Sequence, residues 1–128
     1  MMALVECGTN DVWRRFQARM GEAVDLDEFT SNYREIVTVL AGHSRAVVCL
    51  AAPPVGPGIG SDSDAINREL YSYNLAARSV AREAGAVFVD CWGTLVATAA
   101  QLNERPEAGA DGTYGLWLDD GVHLSARR

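Results

Sequence analysis

The chain alternates between short continuous apolar runs and longer stretches in which apolar residues recur with helical spacing. Three apolar runs are predicted as strands: Ala3–Cys7, Ala46–Ala52 and Ala86–Cys91. The middle run is apolar throughout, which is typical of a strand buried on both faces. The pattern predicts the order strand, helix, strand, helix, strand, helix, loop.

Two long helices are predicted between these strands. Asp27 is the predicted N-cap of the first helix and Gly42 its stop, whereas Ser61 or Asp62 caps the second and Gly85 stops it. The apolar stripes are Phe29, Tyr33, Ile36, Val37 and Leu40 in the first helix, and Ile66, Leu70, Tyr73, Ala77, Val80 and Ala84 in the second.

The remaining segments are less regular. Residues 8–11 read as a turn after the first strand, and residues 13–24 are ambiguous because Gly21 interrupts their helical spacing. Residues 93–103 are predicted as a helix, and the polar, glycine-rich residues 104–115 as a loop.

Strands separated by helices predict an α/β fold with a parallel sheet and helices on both faces. Functional residues of such sheets collect at the carboxyl ends of the strands. Gly8–Asp11 and Pro53–Pro54 fall at that edge. The segment Asp120–His123 follows the last predicted helix, so we expect it to reach the same edge.

Composition narrows the class of protein. The 128 residues fit one domain, and the formal charge of −6 argues against a nucleic-acid partner. No run of about 18 apolar residues exists, so no membrane span is predicted. The start has no basic region or cleavage site, so a signal peptide is expected only upstream of Met1. The sequence leaves the compartment and the oligomeric state open.

The three cysteines, Cys7, Cys49 and Cys91, match no zinc-binding spacing. Each lies at or near the end of an apolar run, which favours small buried side chains in a reducing compartment. Only Cys7 has the alternative of acting as a nucleophile beside a histidine.

His123 is the stronger candidate of the two histidines. Asp120 precedes it by three residues, and within one turn this spacing points both side chains the same way. A carboxylate can then orient the imidazole and leave its other nitrogen free as a general base. The alternative is a surface loop in which Asp120 only caps a turn. His43 follows a helix stop and is interpreted as a solvated residue at a helix C-terminus.

The turn after the first strand offers two hydrogen-bond donors. Gly8 lets the backbone approach a ligand closely, and Asn10 carries a side-chain amide two residues later. Two converging donors of this kind can stabilise an oxyanion. The alternative is an ordinary turn, for which these residue types are also typical.

Taken together, these motifs resemble the SGNH/GDSL hydrolase superfamily, whose third block is a strand followed by Gly-x-Asn-Asp and whose fifth is Asp-x-x-His. The resemblance includes the segments between the motifs. These segments resemble a bacterial subgroup close to the short-chain esterase and carbohydrate-acetylesterase branch of the superfamily. The matching segments are Gly8–Phe16 (GTNDVWRRF), Asp27–Tyr33 (DEFTSNY), Gly85–Val89 (GAVFV) and Trp117–His123 (WLDDGVH).

The resemblance implies a three-layer α/β/α, flavodoxin-like fold and a serine esterase acting on small acyl esters, acetyl esters among them. It implies that the Gly8 N–H and the Asn10 amide stabilise the oxyanion, that His123 is the base, and that Asp120 holds the imidazole. It implies neither a metal nor an organic cofactor.

The chain departs from the family at its first block, a Gly-Asp-Ser that carries the nucleophile. Only seven residues precede Gly8, so we expect this block to be encoded upstream, and residues 1–128 to be a single domain that lacks segments at its N-terminus and its C-terminus. The chain stops at Arg128, where the family continues into a closing helix. Ser61 and Ser63 form the closest local string, but capping is their expected role. We therefore expect no activity from this chain alone.

Two other interpretations stay open. One is a catalytically silent α/β module that binds a ligand at the same edge. The other, a nucleotide-binding domain, is weakened because no Gly-x-Gly-x-x-Gly or Gly-Lys-Ser/Thr loop is present. The aromatic residues Trp13, Tyr114 and Trp117 either line a pocket or pack, and packing is expected for at least two of them.

Overall fold

Three parallel strands form the sheet of the computed structural model, which describes residues 1–103, 116–118 and 120–124. The strands are β1 (Met2–Val5), β2 (Ala46–Leu50) and β3 (Val87–Val89), in the spatial order β1-β2-β3. The predicted α/β class with a parallel sheet is therefore confirmed.

In the described part of the chain, four α-helices connect and follow these strands: α1 (Thr9–Phe16), α2 (Leu26–His43), α3 (Ser63–Glu83) and α4 (Trp92–Asn103). The two long helices and the last one agree with the sequence pattern. The predicted loop 104–115 lies outside the described residues.

The prediction of a turn at residues 8–11 is wrong, because α1 begins there. Gly8 has a φ of 130° and redirects the chain out of the sheet. The N–H of Val12 then donates to the Gly8 carbonyl (3.2 Å) and closes the first helical turn. Within the ambiguous segment 13–24, α1 continues to Phe16 and a short 3₁₀ turn covers Met20–Glu22.

The predicted helix boundaries also need correction. The N-cap of α2 is Asp25 rather than Asp27, since the Asp25 carboxylate accepts from the Glu28 N–H (2.9 Å). Gly42 lies inside the last turn of α2 rather than ending it. Asp62 is the N-cap residue of α3, but its side chain makes no capping hydrogen bond.

All three strands are shorter than predicted, and side chains bind backbone groups of the residues that follow β2 and β3. The Asn74 amide on α3 binds both backbone groups of Ala52, at 2.8 and 3.0 Å. The Asp90 carboxylate accepts from the Trp92 N–H at the start of α4 (3.2 Å).

The two faces of the sheet differ. Val5, Val47 and Cys49 are buried on one face against the side chains of α2 and α3. The opposite face is exposed at both outer strands, with Leu4 62% and Val87 58% exposed. The expectation that β2 is buried on both faces is thus wrong, since its residues on the second face are only half-buried.

Helix α3 lies at the centre of the core. Its buried side chains are Ile66, Leu70, Tyr73, Asn74, Ala77, Val80 and Ala81. They pack against α2, where Phe29 and Tyr33 stack with ring centroids 5.4 Å apart.

We expect Leu70→Ala to lower the free energy of unfolding by about 2–5 kcal/mol, because Leu70 is fully buried and its removal leaves a cavity. The measurement is urea unfolding followed by circular dichroism. Leu75→Ala, on the same helix but exposed, is the matched control and should change stability by about 0.5 kcal/mol or less. Equal effects of the two substitutions would contradict this description of the core.

Candidate active site

The Asp120–His123 turn is held together by one carboxylate. Its Oδ1 accepts from the backbone N–H groups of Val122 (2.9 Å) and His123 (3.0 Å), and its Oδ2 lies 2.6 Å from the His123 Nδ1. The glycine between them makes this turn possible, since Gly121 has a φ of 68°.

These hydrogen bonds determine the charge of the pair. The backbone N–H of His123, then its ring N–H, and then the N–H of Val122 lower the pKa of Asp120 to about 2. Asp120 is therefore ionised at neutral pH and can only accept hydrogen bonds. In the neutral form of the His123 ring, the proton therefore lies on Nδ1, where it can be donated to Asp120, and Nε2 carries the free lone pair.

The second predicted motif lies at the end of β1. Gly8 is buried there with a φ of 130°, a backbone conformation that favours glycine. An added Cβ would meet only ordinary contacts, the nearest being Leu70 Cδ1 at 3.5 Å. Backbone conformation rather than lack of space therefore requires glycine. Asn10 is exposed on the first turn of α1.

One cavity of about 710 Å³ brings the two motifs together. Gly8 and Asn10 line it from β1 and α1, and His123 lines it from the other end of the chain. Asp120 is not part of the lining and lies behind the imidazole. The full lining is Glu6, Cys7, Gly8, Thr9, Asn10, Asp11, Trp13, Arg14, Pro53, Val122, His123 and Leu124.

Acidic side chains surround the Cys7 thiol in this cavity. Burial, and then the carboxylates of Asp11 and Glu6 and the thiol of Cys49, raise the pKa of Cys7 to about 11. The thiol therefore stays protonated at neutral pH, which argues against Cys7 as a nucleophile. Burial also raises the pKa values of the Glu6 and Asp11 carboxyl groups.

Several of these lining residues were missed by the sequence analysis. Asp11 and Arg14 lie one helical turn apart on α1, and the Arg14 guanidinium lies 5.5 Å from the centre of the Trp13 ring. The sequence signal was their distance of three and six positions from Gly8. This spacing indicates a shared site only when α1 is known to begin at Thr9.

Within residues 1–103, 116–118 and 120–124, no group of three potential metal ligands lies together. No helix in the described part of the chain is both long and apolar enough to cross a bilayer.

Comparison with known sequences identifies the family of the chain. A sequence model of the GDSL-like lipase/acylhydrolase family matches residues 2–127. The chain belongs to this family. A comparison with curated protein sequences gave no match.

Solved structures of similar fold are esterases and a hydrolase. The acetylxylan esterase of Geobacillus stearothermophilus is 25% identical with a TM-score of 0.72, and the match covers 97% of this chain and 52% of that one. An α/β hydrolase from the metagenome of Lake Arreo, Spain, is 23% identical with a TM-score of 0.71, covering 96% and 51%. The chain thus spans about half the length of these structures.

Three of the solved structures are catalytic mutants of that acetylxylan esterase, altered at a serine, an aspartate and a histidine in this chain order. The aspartate and the histidine of that enzyme are three positions apart. Asp120 and His123 of this GDSL-family chain have the same spacing.

The other serines considered from the sequence lie elsewhere. Ser61 is exposed in the turn before α3, and Ser63 is the first residue of that helix. Neither belongs to the cavity lining. Their predicted place at the start of a helix therefore agrees with the structure.

The aromatic residues fall into different environments. Trp13 lines the cavity and also packs against the core. Trp117 is half-buried, and its indole N–H donates to the carbonyl of Pro54 (3.0 Å). Tyr114 and Asp119 lie outside the described residues. His43 is exposed in the last turn of α2, as predicted, with its Nδ1 2.8 Å from the Val39 oxygen.

Proposed function

We propose that this chain supplies the base and the oxyanion donors of a serine-type hydrolase that acts on small acyl esters, acetyl esters in particular. The observation that carries the proposal is the shared cavity of Gly8, Asn10 and His123, with the ionised Asp120 holding the His123 ring from behind.

His123 is the general base of this proposal. Its Nε2 takes the proton of a serine hydroxyl as that oxygen attacks the ester carbonyl, and later passes the proton to the leaving alcohol. Asp120 keeps the ring in the required tautomer and stabilises the imidazolium that forms. A water molecule then repeats the sequence to release the acid.

Gly8 and Asn10 are the oxyanion donors. The ester carbonyl oxygen becomes negatively charged during attack. This oxyanion accepts hydrogen bonds from the Gly8 N–H and the Asn10 side-chain amide. Helix α1 begins directly after Gly8, so the positive end of its dipole favours the same charge.

The nucleophile in this proposal is a serine on a segment that pairs with β1. This strand is at the edge of the sheet, and Met2 and Leu4 are 66% and 62% exposed. An exposed apolar edge strand is a template for another strand. A parallel strand added there would end at the cavity, beside Gly8. The greater length of the solved relatives, and the serine of the acetylxylan esterase, support the same arrangement.

The substrate is proposed to be an ester with a small acyl group. The support is the acetylxylan esterase among the structural neighbours, together with the polar and aromatic side chains that line the cavity, such as Trp13, Arg14 and Asp11.

The test compares the chain with a form extended upstream in frame through a Gly-Asp-Ser block. We expect the chain alone to show neither labelling by a fluorophosphonate probe nor turnover of para-nitrophenyl acetate above background. We expect the extended form to show both, with labelling at its new serine.

Two outcomes would contradict the proposal. Labelling of the chain alone that disappears in Ser61→Ala or Ser63→Ala would place the nucleophile before α3. An extended, folded form that binds the ester without turnover would favour the silent binding module instead.

A further inference from the structure

The loop that carries Asp120 and His123 rests on the segment between β2 and α3. The Gly56 N–H donates to the Gly121 carbonyl (2.7 Å), and the Trp117 indole N–H donates to the Pro54 carbonyl (3.0 Å). Both bonds link residues more than 60 positions apart in the sequence. They join the Asp120–His123 loop to the segment that directly follows Pro53, one of the residues that line the cavity.

The two surfaces fit closely at two glycines. A Cβ at Gly56 would lie 2.5 Å from Cδ2 of the Trp117 ring. A Cβ at Gly121 would lie 2.3 Å from the backbone nitrogen of Ile59. The absence of both side chains lets the indole and the loop backbone lie directly against the Pro54–Ile59 segment, which we call the platform.

Helix α3 holds the platform in place. The Asn67 side chain accepts from the Val55 N–H (2.8 Å) and donates to the Val55 carbonyl (3.0 Å). The Val55 side chain is buried in the core. On the same helix, Leu70 is the nearest neighbour to the Cβ position of Gly8. Helix α3 therefore contacts both the platform and the Gly8 side of the cavity.

The loop itself is closed on its own backbone. The Leu118 N–H donates to the His123 carbonyl (2.8 Å), and Trp117 pairs with Leu124 in an antiparallel bridge. The Asp120–His123 pair and Trp117 therefore belong to one hydrogen-bonded loop.

We propose that Trp117 and Asn67 are positioning residues. Asn67 fixes the platform to α3, and Trp117 seats the Asp120–His123 loop on the platform, so that the imidazole faces Gly8 and Asn10. The consequence for catalysis rests on the proposed function, but the docking itself does not.

Two adjacent backbone amides report separately on the docking of the loop and on the attachment of the platform to α3. The Gly56 N–H is bonded to the loop through Gly121, whereas the Val55 N–H is bonded to Asn67. The Leu118 N–H reports whether the loop stays closed on itself. Amide hydrogen exchange followed by NMR measures all three in the chain as it is, without substrate.

We expect Trp117→Phe to accelerate exchange of the Gly56 amide about fivefold, because one hydrogen bond of docking is lost. The amides of Val55 and Leu118 should keep their rates. Asn67→Leu should accelerate both Val55 and Gly56.

A second pair of variants tests the close contact at Gly121. Gly121 and Gly85 share a φ of 68°, but nothing lies within 4 Å of a Cβ at Gly85. We expect Gly121→Ala to abolish the protection of the Gly56 amide and Gly85→Ala to leave it intact.

The proposal would be overturned by equal Gly56 exchange in the wild type and Trp117→Phe, or by equal acceleration of Gly56 and Val55 in that variant. The second result would mean that Trp117 stabilises the whole platform rather than the docking. Because no substrate is involved, a failure of the esterase proposal would leave these rates, and their interpretation, unaffected.

Discussion

Replacing His123 with alanine is expected to lower kcat by about 10⁴- to 10⁶-fold in a form of the protein that carries its serine. Without the imidazole, no group accepts the serine proton during attack, and none returns a proton to the leaving alcohol. The Asp120 carboxylate cannot substitute, because it lies outside the cavity lining and an ordinary carboxylate is a poor base at neutral pH. The measurement is steady-state hydrolysis of para-nitrophenyl acetate at pH 7–8.

The second histidine provides the control for this experiment. His43 lies in the last turn of α2, exposed and away from the cavity lining. His43→Ala should therefore leave kcat within about twofold, since surface substitutions seldom disturb a distant site. A loss below about tenfold in His123→Ala would mean that His123 is not the base.

Replacing Asn10 with alanine is expected to lower kcat by about 10²- to 10³-fold with little change in KM, because one oxyanion donor is lost. The amide acts on charge that develops only in the transition state, so the bound ester is affected much less. The measurement is the separate determination of kcat and KM in the serine-bearing form.

Asn32 on α2 is a matched control, since it is also an exposed helical asparagine but lies outside the cavity lining. Asn32→Ala should leave both constants unchanged. A rise in KM with constant kcat in Asn10→Ala would instead assign Asn10 to ground-state binding of the ester.

Much of the fold follows from local patterns in the sequence. The long helices are recognisable because Phe29, Tyr33 and Val37 on α2, and Leu70 and Val80 on α3, recur with helical period and are indeed buried. Their boundaries shift by one or two residues because capping depends on which nearby carboxylate reaches a free N–H.

Helix α1 was not predicted, since its sequence contains typical turn residues. What starts it is the Gly8 conformation, with a φ of 130°, that turns the chain out of β1. That conformation depends on where the strand ends, and hence on tertiary contacts such as Leu70 and Phe29 around Gly8.

The sheet shows the same limit. The apolar run at β2 predicts burial on both faces, yet only the face that meets α2 and α3 is fully covered. An apolar run predicts that its residues are shielded from water, but it does not identify the segment that covers each face.

The sequence by itself determined the alternation of strands and helices and the local Asp120–His123 pair, because both depend on residues within one or a few turns of one another. Only the tertiary structure decided that Gly8, Asn10 and His123 share one cavity. It also decided that Trp117 and Gly121 seat the loop on the Pro54–Ile59 platform. These contacts join residues far apart in the chain, and their geometry depends on the packing of α3 between them.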